Sequence, residues 1–186
     1  TGSTSTTYAS LTANVSGTLP VGNGGTGATT LAGAGLSNAP SFFANQSAAS
    51  AQSISNGSVT KVTLGTEIWD TDSAFASDKF TVPSGGAGKY VFTYGGYLVN
   101  TTVNGFFELV LYLNGASLRN SSSRGYMSST ATADFTRTAC VTVSLADADY
   151  IELYVYQDNT DGGGGSRTLG NADYKAYLSG SRLIGV

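Results

Sequence analysis

Along much of the chain, apolar residues recur with the two-residue period of half-buried strands. In Ala139-Cys-Val-Thr-Val-Ser-Leu145, one face collects Ala139, Val141, Val143 and Leu145. Residues 150–156 set Ile151, Leu153 and Val155 against Tyr150, Glu152, Tyr154 and Tyr156. Residues 106–113 set Phe107, Leu109, Leu111 and Leu113 against Phe106, Glu108, Val110 and Tyr112. Further strands are predicted at 59–64, 79–82, 90–94 and 174–184. Pro83 ends the second of these, because proline cannot donate to a central ladder. Turn chemistry separates the strands at Ser84-Gly-Gly-Ala-Gly88, Asn104-Gly105, Asn114-Gly115 and Asp161-Gly-Gly-Gly-Gly165. No segment carries a clear helical period, so an all-β sandwich or barrel is expected from about Pro40 onward.

Two of these strands are apolar or aromatic on both faces. A monomeric sandwich should be polar outside; tyrosine enrichment with depleted charge is the composition of an interface core. Association of identical subunits through tyrosine-rich sheet faces is therefore expected.

Charge divides the chain. The first Lys, Arg, Asp or Glu is Lys61, so the leading 60 residues carry none. Solubility rests largely on surface charge, and this stretch is built mainly from Ser, Thr, Gly, Ala and Asn. Apolar anchors recur in it at Tyr8, Leu11, Val15, Leu19, Val21, Leu31, Leu36, Phe42 and Phe43. It reads as an extended arm at 1–54 that lies against other chains, preceding a head at 55–186. Leu19, Val21, Leu31, Leu36, Phe42 and Phe43 are its expected contacts. At about 3.3 Å per residue, some 40 extended residues reach on the order of 130 Å.

Composition removes many chemistries. The 186 residues include no histidine and a single cysteine, Cys140, so no Ser-His-Asp triad, imidazole metal site, intrachain disulfide or thiolate cluster can form. The net charge of −3 argues against a nucleic-acid surface. No apolar run approaches the roughly 18 residues of a membrane helix, and no signal-peptide pattern opens the sequence.

Several motifs fail on context. Gly22-Asn-Gly24-Gly-Thr-Gly27 has the letters of a dinucleotide fingerprint, but Pro20 precedes it and no acid appears before Glu67. Asn-x-Ser/Thr sequons at Asn14, Asn45, Asn56, Asn100 and Asn120 follow from composition. Asp70, Asp72, Asp158 and Asp161 are weak calcium candidates, because neither cluster has the spacing of a calcium loop. No other cofactor is expected, and no catalytic residue is assigned. The polar loops at 118–127 and 158–167 offer Arg119, Arg124, Tyr126, Asp158, Asp161 and Arg167 as candidate receptor contacts.

The order of motifs carries a resemblance. Phe80-Thr-Val-Pro83 followed by Gly88-Lys-Tyr90-Val-Phe92 resembles the F-x-x-P…G-x-Y-x-F passage of C1q-like globular heads. Leu111-Tyr-Leu-Asn-Gly115 looks like that family's next hairpin. Val143-Ser-Leu-Ala-Asp-Ala-Asp149-Tyr-Ile-Glu-Leu is similar to its L-x-x-G-D-x-V-x-L stretch, with Ala148 in place of the usual turn glycine. Tyr177-Leu-Ser-Gly180-Ser-Arg-Leu-Ile184 resembles its final strand. The resemblance spans about 55–186 and implies a ten-stranded C1q/TNF-like jelly roll assembled as a trimer. The trimer interface expected on this basis comprises Tyr90, Phe92, Tyr94, Phe106, Tyr112, Tyr150, Tyr154 and Tyr156.

Gly17-Thr-Leu-Pro-Val-Gly-Asn-Gly-Gly-Thr-Gly-Ala-Thr-Thr30 resembles a segment common in bacteriophage tail fibres and related virion surface proteins. Together the two resemblances imply a homotrimeric bacteriophage virion protein, a tail-fibre or receptor-binding tip acting by adhesion without catalysis. Its arm would engage other virion proteins and its loops a host glycan or surface protein. Assembly would occur in the reducing bacterial cytosol, which suits a chain without disulfides. Two alternatives stay open: a capsid decoration (cement) protein clamped by the arm, and a fibre-borne polysaccharide-degrading enzyme.

Overall fold

A computed structural model describes residues 25–30, 33–47, 51–101, 104–127, 133–159, 165–173 and 175–184. The chain divides into two compact units between Ser37 and Asn38. In the first unit, a turn is closed by the Ala34 N–H donating to the Thr30 carbonyl at 3.0 Å, with the Gly33 N–H on Thr30 Oγ1.

The second unit is an antiparallel β-sandwich of two seven-stranded sheets. The first sheet contains β1 (Ser41–Asn45), β2 (Gln52–Ile54), β4 (Thr66–Asp70), β7 (Gly88–Thr101), β11 (Ala133–Leu145), β13 (Arg167–Leu169) and β14 (Tyr177–Arg182). The second contains β3 (Val59–Lys61), β5 (Phe75–Ala76), β6 (Lys79–Thr81), β8 (Gly105–Leu113), β9 (Ala116–Ser117), β10 (Ser123–Met127) and β12 (Tyr150–Asn159). In the first sheet β11 lies along one edge of β7, and β14, β1 and β4 follow on the other. In the second, β12 joins β8 to β6 and β3, and β10 flanks β8.

Alternation builds the core. Phe107, Leu109, Leu111, Ile151, Leu153 and Val155 point inward from the second sheet and are fully buried. Tyr90, Phe92 and Tyr94 point inward from β7 and are equally buried. These three were expected at a subunit interface; the structure places them in the interior of the protomer. The physical reason is that each tyrosine finds a polar partner inside. The Tyr90 hydroxyl donates to the Gly86 carbonyl at 2.6 Å, and that of Tyr94 donates to the Ser121 carbonyl. Burial raises both phenols above their ordinary pKa, so they remain donors.

Phe42 is a second correction. Expected as an arm contact, it sits in the core, stacked on Phe80 at 4.9 Å and on Phe75 at 5.0 Å. Its neighbour Phe43 faces outward on the same strand, packed against Trp69 and Tyr177. Since β1 and β2 both precede residue 55, the sandwich begins earlier than the expected boundary. An uncharged strand that pairs on both sides needs no charge, so the charge map grouped it with the arm. Leu36 is exposed in the first unit, and Leu19, Val21 and Leu31 lie outside the described residues.

Candidate functional site

The outer face of the second sheet gathers most of the side chains that the sequence marked for contact. Register fixes their neighbourhood: Tyr126 opposes Phe106, Arg124 opposes Glu108, Glu108 opposes Tyr156, and Tyr156 opposes Val59. In the adjoining rows Val110 opposes Tyr154 and Tyr112 opposes Glu152. Alternation turns all of these away from the core.

Between them lies a groove of about 270 Å³ lined by Val59, Glu108, Val110, Tyr112, Ser117, Arg119, Arg124 and Tyr156. Val110 forms its buried floor, and tyrosine rings form its walls. The Tyr112 and Tyr154 rings meet with centroids 4.0 Å apart. Arg124 lies over the Phe106 ring at 4.2 Å and reaches Glu108 only loosely, at 3.7 Å. Glu108 also accepts from Ser122 Oγ at 2.6 Å. Arg119 begins a single 3-10 turn, Arg119–Ser121, whose Ser121 is buried and pinned. Ser121 Oγ donates to the Leu118 carbonyl at 2.6 Å and accepts from the Leu111 N–H at 2.9 Å. The guanidinium of Arg119 is thus presented from a fixed backbone, and it has no ion-pair partner among the described residues.

Along the same face, Lys61 Nζ pairs with Glu152 at 2.7 Å. Desolvation raises the Tyr154 phenol above its ordinary pKa, and Glu152 adds to the shift. Tyr156 shifts the same way, chiefly by burial and then through Asp158. Both hydroxyls therefore stay protonated across the neutral range.

The sequence-derived contact residues separate here. Arg119 and Arg124 enter the groove beside Tyr112 and Tyr156, and Tyr126 packs edge-on against Phe106 at the rim. Asp158 lies on β12 opposite Phe106. Arg167 belongs to β13 in the other sheet, and Asp161 falls outside the described residues. The stretch 118–127, expected to be a loop throughout, ends in strand β10, where Arg124 and Tyr126 alternate with Ser123 and Gly125 against β8. Sequence reasoning missed Val59 and Ser117, whose position depends on strand pairing alone.

A calcium ion does not fit the described carboxylates. Asp70 accepts from the Phe75 N–H at 2.6 Å and the Asp72 N–H at 3.2 Å, and Asp72 accepts from Thr71 Oγ1. Both are committed to their turn. No group of three or more His, Cys, Asp or Glu able to hold a metal occurs among the described residues. No helix among them is long and apolar enough to cross a membrane.

The outer face of the first sheet has a different character. Rows run from β11 to β1: Thr142, Val91, Ser181, Ser41; then Cys140, Thr93, Ser179, Phe43; then Thr138, Gly95, Tyr177, Asn45. None is charged. Tyr177 lies flat across Gly95, where a Cβ would stand 2.6 Å from its ring. Trp69 extends the second row onto β4 and is 49% exposed.

The fold has clear relatives among solved structures. The chain is similar to the globular domain of zebrafish complement 1qA (15% identity, 78% of this chain and 98% of that one, TM-score 0.53). It is also similar to Eiger TNF from S. frugiperda (12% identity, 79% and 95% coverage, TM-score 0.54). A third likeness is to the PRD1 vertex protein P5 (14% identity, 79% and 99% coverage, TM-score 0.53). No protein-family model and no curated protein sequence matches the chain. The head is therefore a C1q/TNF-like jelly roll.

Proposed function

We propose that this chain is a homotrimeric virion surface protein of a bacteriophage whose jelly-roll head attaches the particle to its host by adhesion. The observation that carries the reading is an uncharged strip on the outer face of the first sheet, three rows running from Thr142 to Trp69 without an ionisable side chain other than Cys140 and Tyr177, with Lys89 and Asp134 beyond its ends. A surface of Ser, Thr and aromatic residues of this extent is depleted in charge as interface cores are. Three copies joined there would leave the groove of the second sheet open and present it three times, gaining avidity from multivalency. The five tyrosine and phenylalanine residues expected at the interface that do face outward, Phe106, Tyr112, Tyr150, Tyr154 and Tyr156, would then serve contact with the host.

The arm supports a virion setting through residues 17–30, and the likeness to a protein named for a virion vertex agrees with it. That likeness also favours a second reading, a decoration protein seated on the capsid through the arm. Light scattering on the purified chain should give three copies; a stable monomer would remove the proposal. Antibody labelling of intact particles separates the two readings, with a few tens of copies at the tail expected for attachment and hundreds over the shell for decoration.

A further inference from the structure

We infer that the groove between β8, β10 and β12 binds a carboxylate-bearing sugar, with Arg119 as the carboxylate receptor; this rests on the attachment reading and deepens it. Three features of the groove converge on that ligand class.

The first is an exposed cation. Arg119 has no ion-pair partner among the described residues, and Arg124 holds Glu108 at only 3.7 Å, so two guanidinium groups stand against one carboxylate in the groove. A planar guanidinium on a pinned turn matches a carboxylate through two parallel hydrogen bonds. The second is the aromatic lining. Tyr112 and Tyr156 offer ring surface beside the buried Val110, suited to the C–H face of a pyranose. Their hydroxyls, with Ser117, supply hydrogen bonds to sugar oxygens. The third is Glu108, an acceptor within the groove. It welcomes neutral hydroxyl donors and repels ligands of high negative charge, which disfavours phosphate chains and nucleic acid. A volume of about 270 Å³ falls just below the roughly 300–1,000 Å³ of drug-sized pockets. It accommodates one ring, with the rest of the polymer outside.

The full chain should be titrated with tetragalacturonate, an oligomer of sialic acid and oligomannuronate. Fully methyl-esterified tetragalacturonate, poly-glutamate and dextran sulfate serve as controls. At least one acidic oligosaccharide is expected to bind, and loss of its carboxylate charge to weaken binding about tenfold or more. Arg119→Ala should weaken it comparably with unchanged melting and unchanged oligomeric mass, and Arg119→Lys should restore part of the loss. Tyr112→Ala should weaken every sugar in the panel alike. The inference is overturned if no acidic sugar binds, if the neutral ester binds equally, or if Arg119→Ala binds as the parent does. Equal binding of poly-glutamate or dextran sulfate overturns it as well, since charge alone would then explain recognition. Particle adsorption tells the two proposals apart. A chain that blocks adsorption equally well as Arg119→Ala leaves attachment standing and removes the sugar. A chain that binds the sugar through Arg119 without blocking adsorption keeps the site and removes the attachment role.

Discussion

Outside the first sheet, a strip four strands wide carries hydroxyls, Cys140, Phe43 and Tyr177 with no lysine, arginine or acid. Outside the second, Lys61, Lys79, Glu108, Arg124 and Glu152 stand among the tyrosines, and several are paired: Lys61 with Glu152, and Lys79 over the Tyr150 ring at 4.6 Å. The outward aromatic content that first suggests an interface therefore lies on the more charged of the two sheets. Tyrosines held among charged side chains have polar neighbours and tolerate water. The strip of small hydroxyls around Phe43 and Trp69 carries no ion pair and no formal charge, and charge separates the two surfaces better than ring count does.

The largest effect should come from placing charge at the centre of the first face. Ser179 stands between Thr93 and Phe43. If three copies meet there, Ser179→Lys brings like charges together at a cost of several kcal/mol. Light scattering should then report a single-copy mass, while Arg119→Ala on the other face leaves the assembly intact. An unchanged trimer for Ser179→Lys would move the interface elsewhere and cancel the contrast.

Adjacent residues on β1 sharpen it next. Phe42 points inward and Phe43 outward. Phe42→Ala should cost about 3–5 kcal/mol in denaturant unfolding, the usual loss for a buried ring. Phe43→Ala removes one tilted and one edge-on ring contact, about 1 kcal/mol. Both are best measured in the Ser179→Lys background, where assembly does not enter. Equal losses would show that Phe43 is as much a part of the protomer's core as Phe42.

The same pair shows how far the sequence could be read. Strand β11 was legible from its clean period of two, β7, β8, β12 and β14 from aliphatic and aromatic runs bounded by turn residues, and the β8–β9 turn because Asn114-Gly115 adopts the positive φ that such a hairpin needs. β1 was not separable from the arm, since absence of charge marks an internal strand and a partner-bound arm alike, and the three-residue β2 at the sheet's edge is too short to carry a period. β10 read as a loop because its inward positions are Ser123 and Gly125, which carry no apolar signal. The groove was half visible. Arg119, Arg124, Tyr112 and Tyr156 each stood out, but their meeting depends on the pairing of β8 with both β10 and β12, which no local pattern encodes. Which face of β7 is buried was also hidden, because hydrogen bonds from Gly86 and Ser121 make interior tyrosine acceptable.

A smaller effect lies where the chain passes from β11 in one sheet to β12 in the other. Asp147 accepts from the Gly85 and Ala87 N–H groups, each at 2.8 Å, and these bonds hold its pKa below the ordinary carboxylate value. Asp149 is lowered too, by the Asn114 side chain and then the Ala146 N–H. A depressed folded pKa stabilises above the unfolded value of about 3.9 and loses that contribution as pH falls through the folded value. Melting temperature should thus be flat above about pH 5 and decline below pH 4. Asp147→Asn should be less stable at pH 7 and show a shallower decline. An identical acid profile for the variant would remove Asp147 from the account.

The smallest effect tests whether that crossing belongs to either face. Ala148 has φ 66°, in the left-handed region where a Cβ costs roughly 1–2 kcal/mol. Its contribution to the turn is made by the backbone, the N–H donating to the Val82 carbonyl at 3.0 Å, and its side chain is exposed. Ala148→Gly keeps that bond and relieves the strain, while adding about 0.5–1 kcal/mol of unfolded-state freedom. The net expectation is a gain of about 0.5–1 kcal/mol, or about 1–4 °C in melting temperature. Because the turn joins the sheets at their end and lies on neither outer surface, the gain should be the same in the assembled protein and in the Ser179→Lys background. A gain confined to the assembly would place the turn in the interface and extend the uncharged surface to the end of the sandwich.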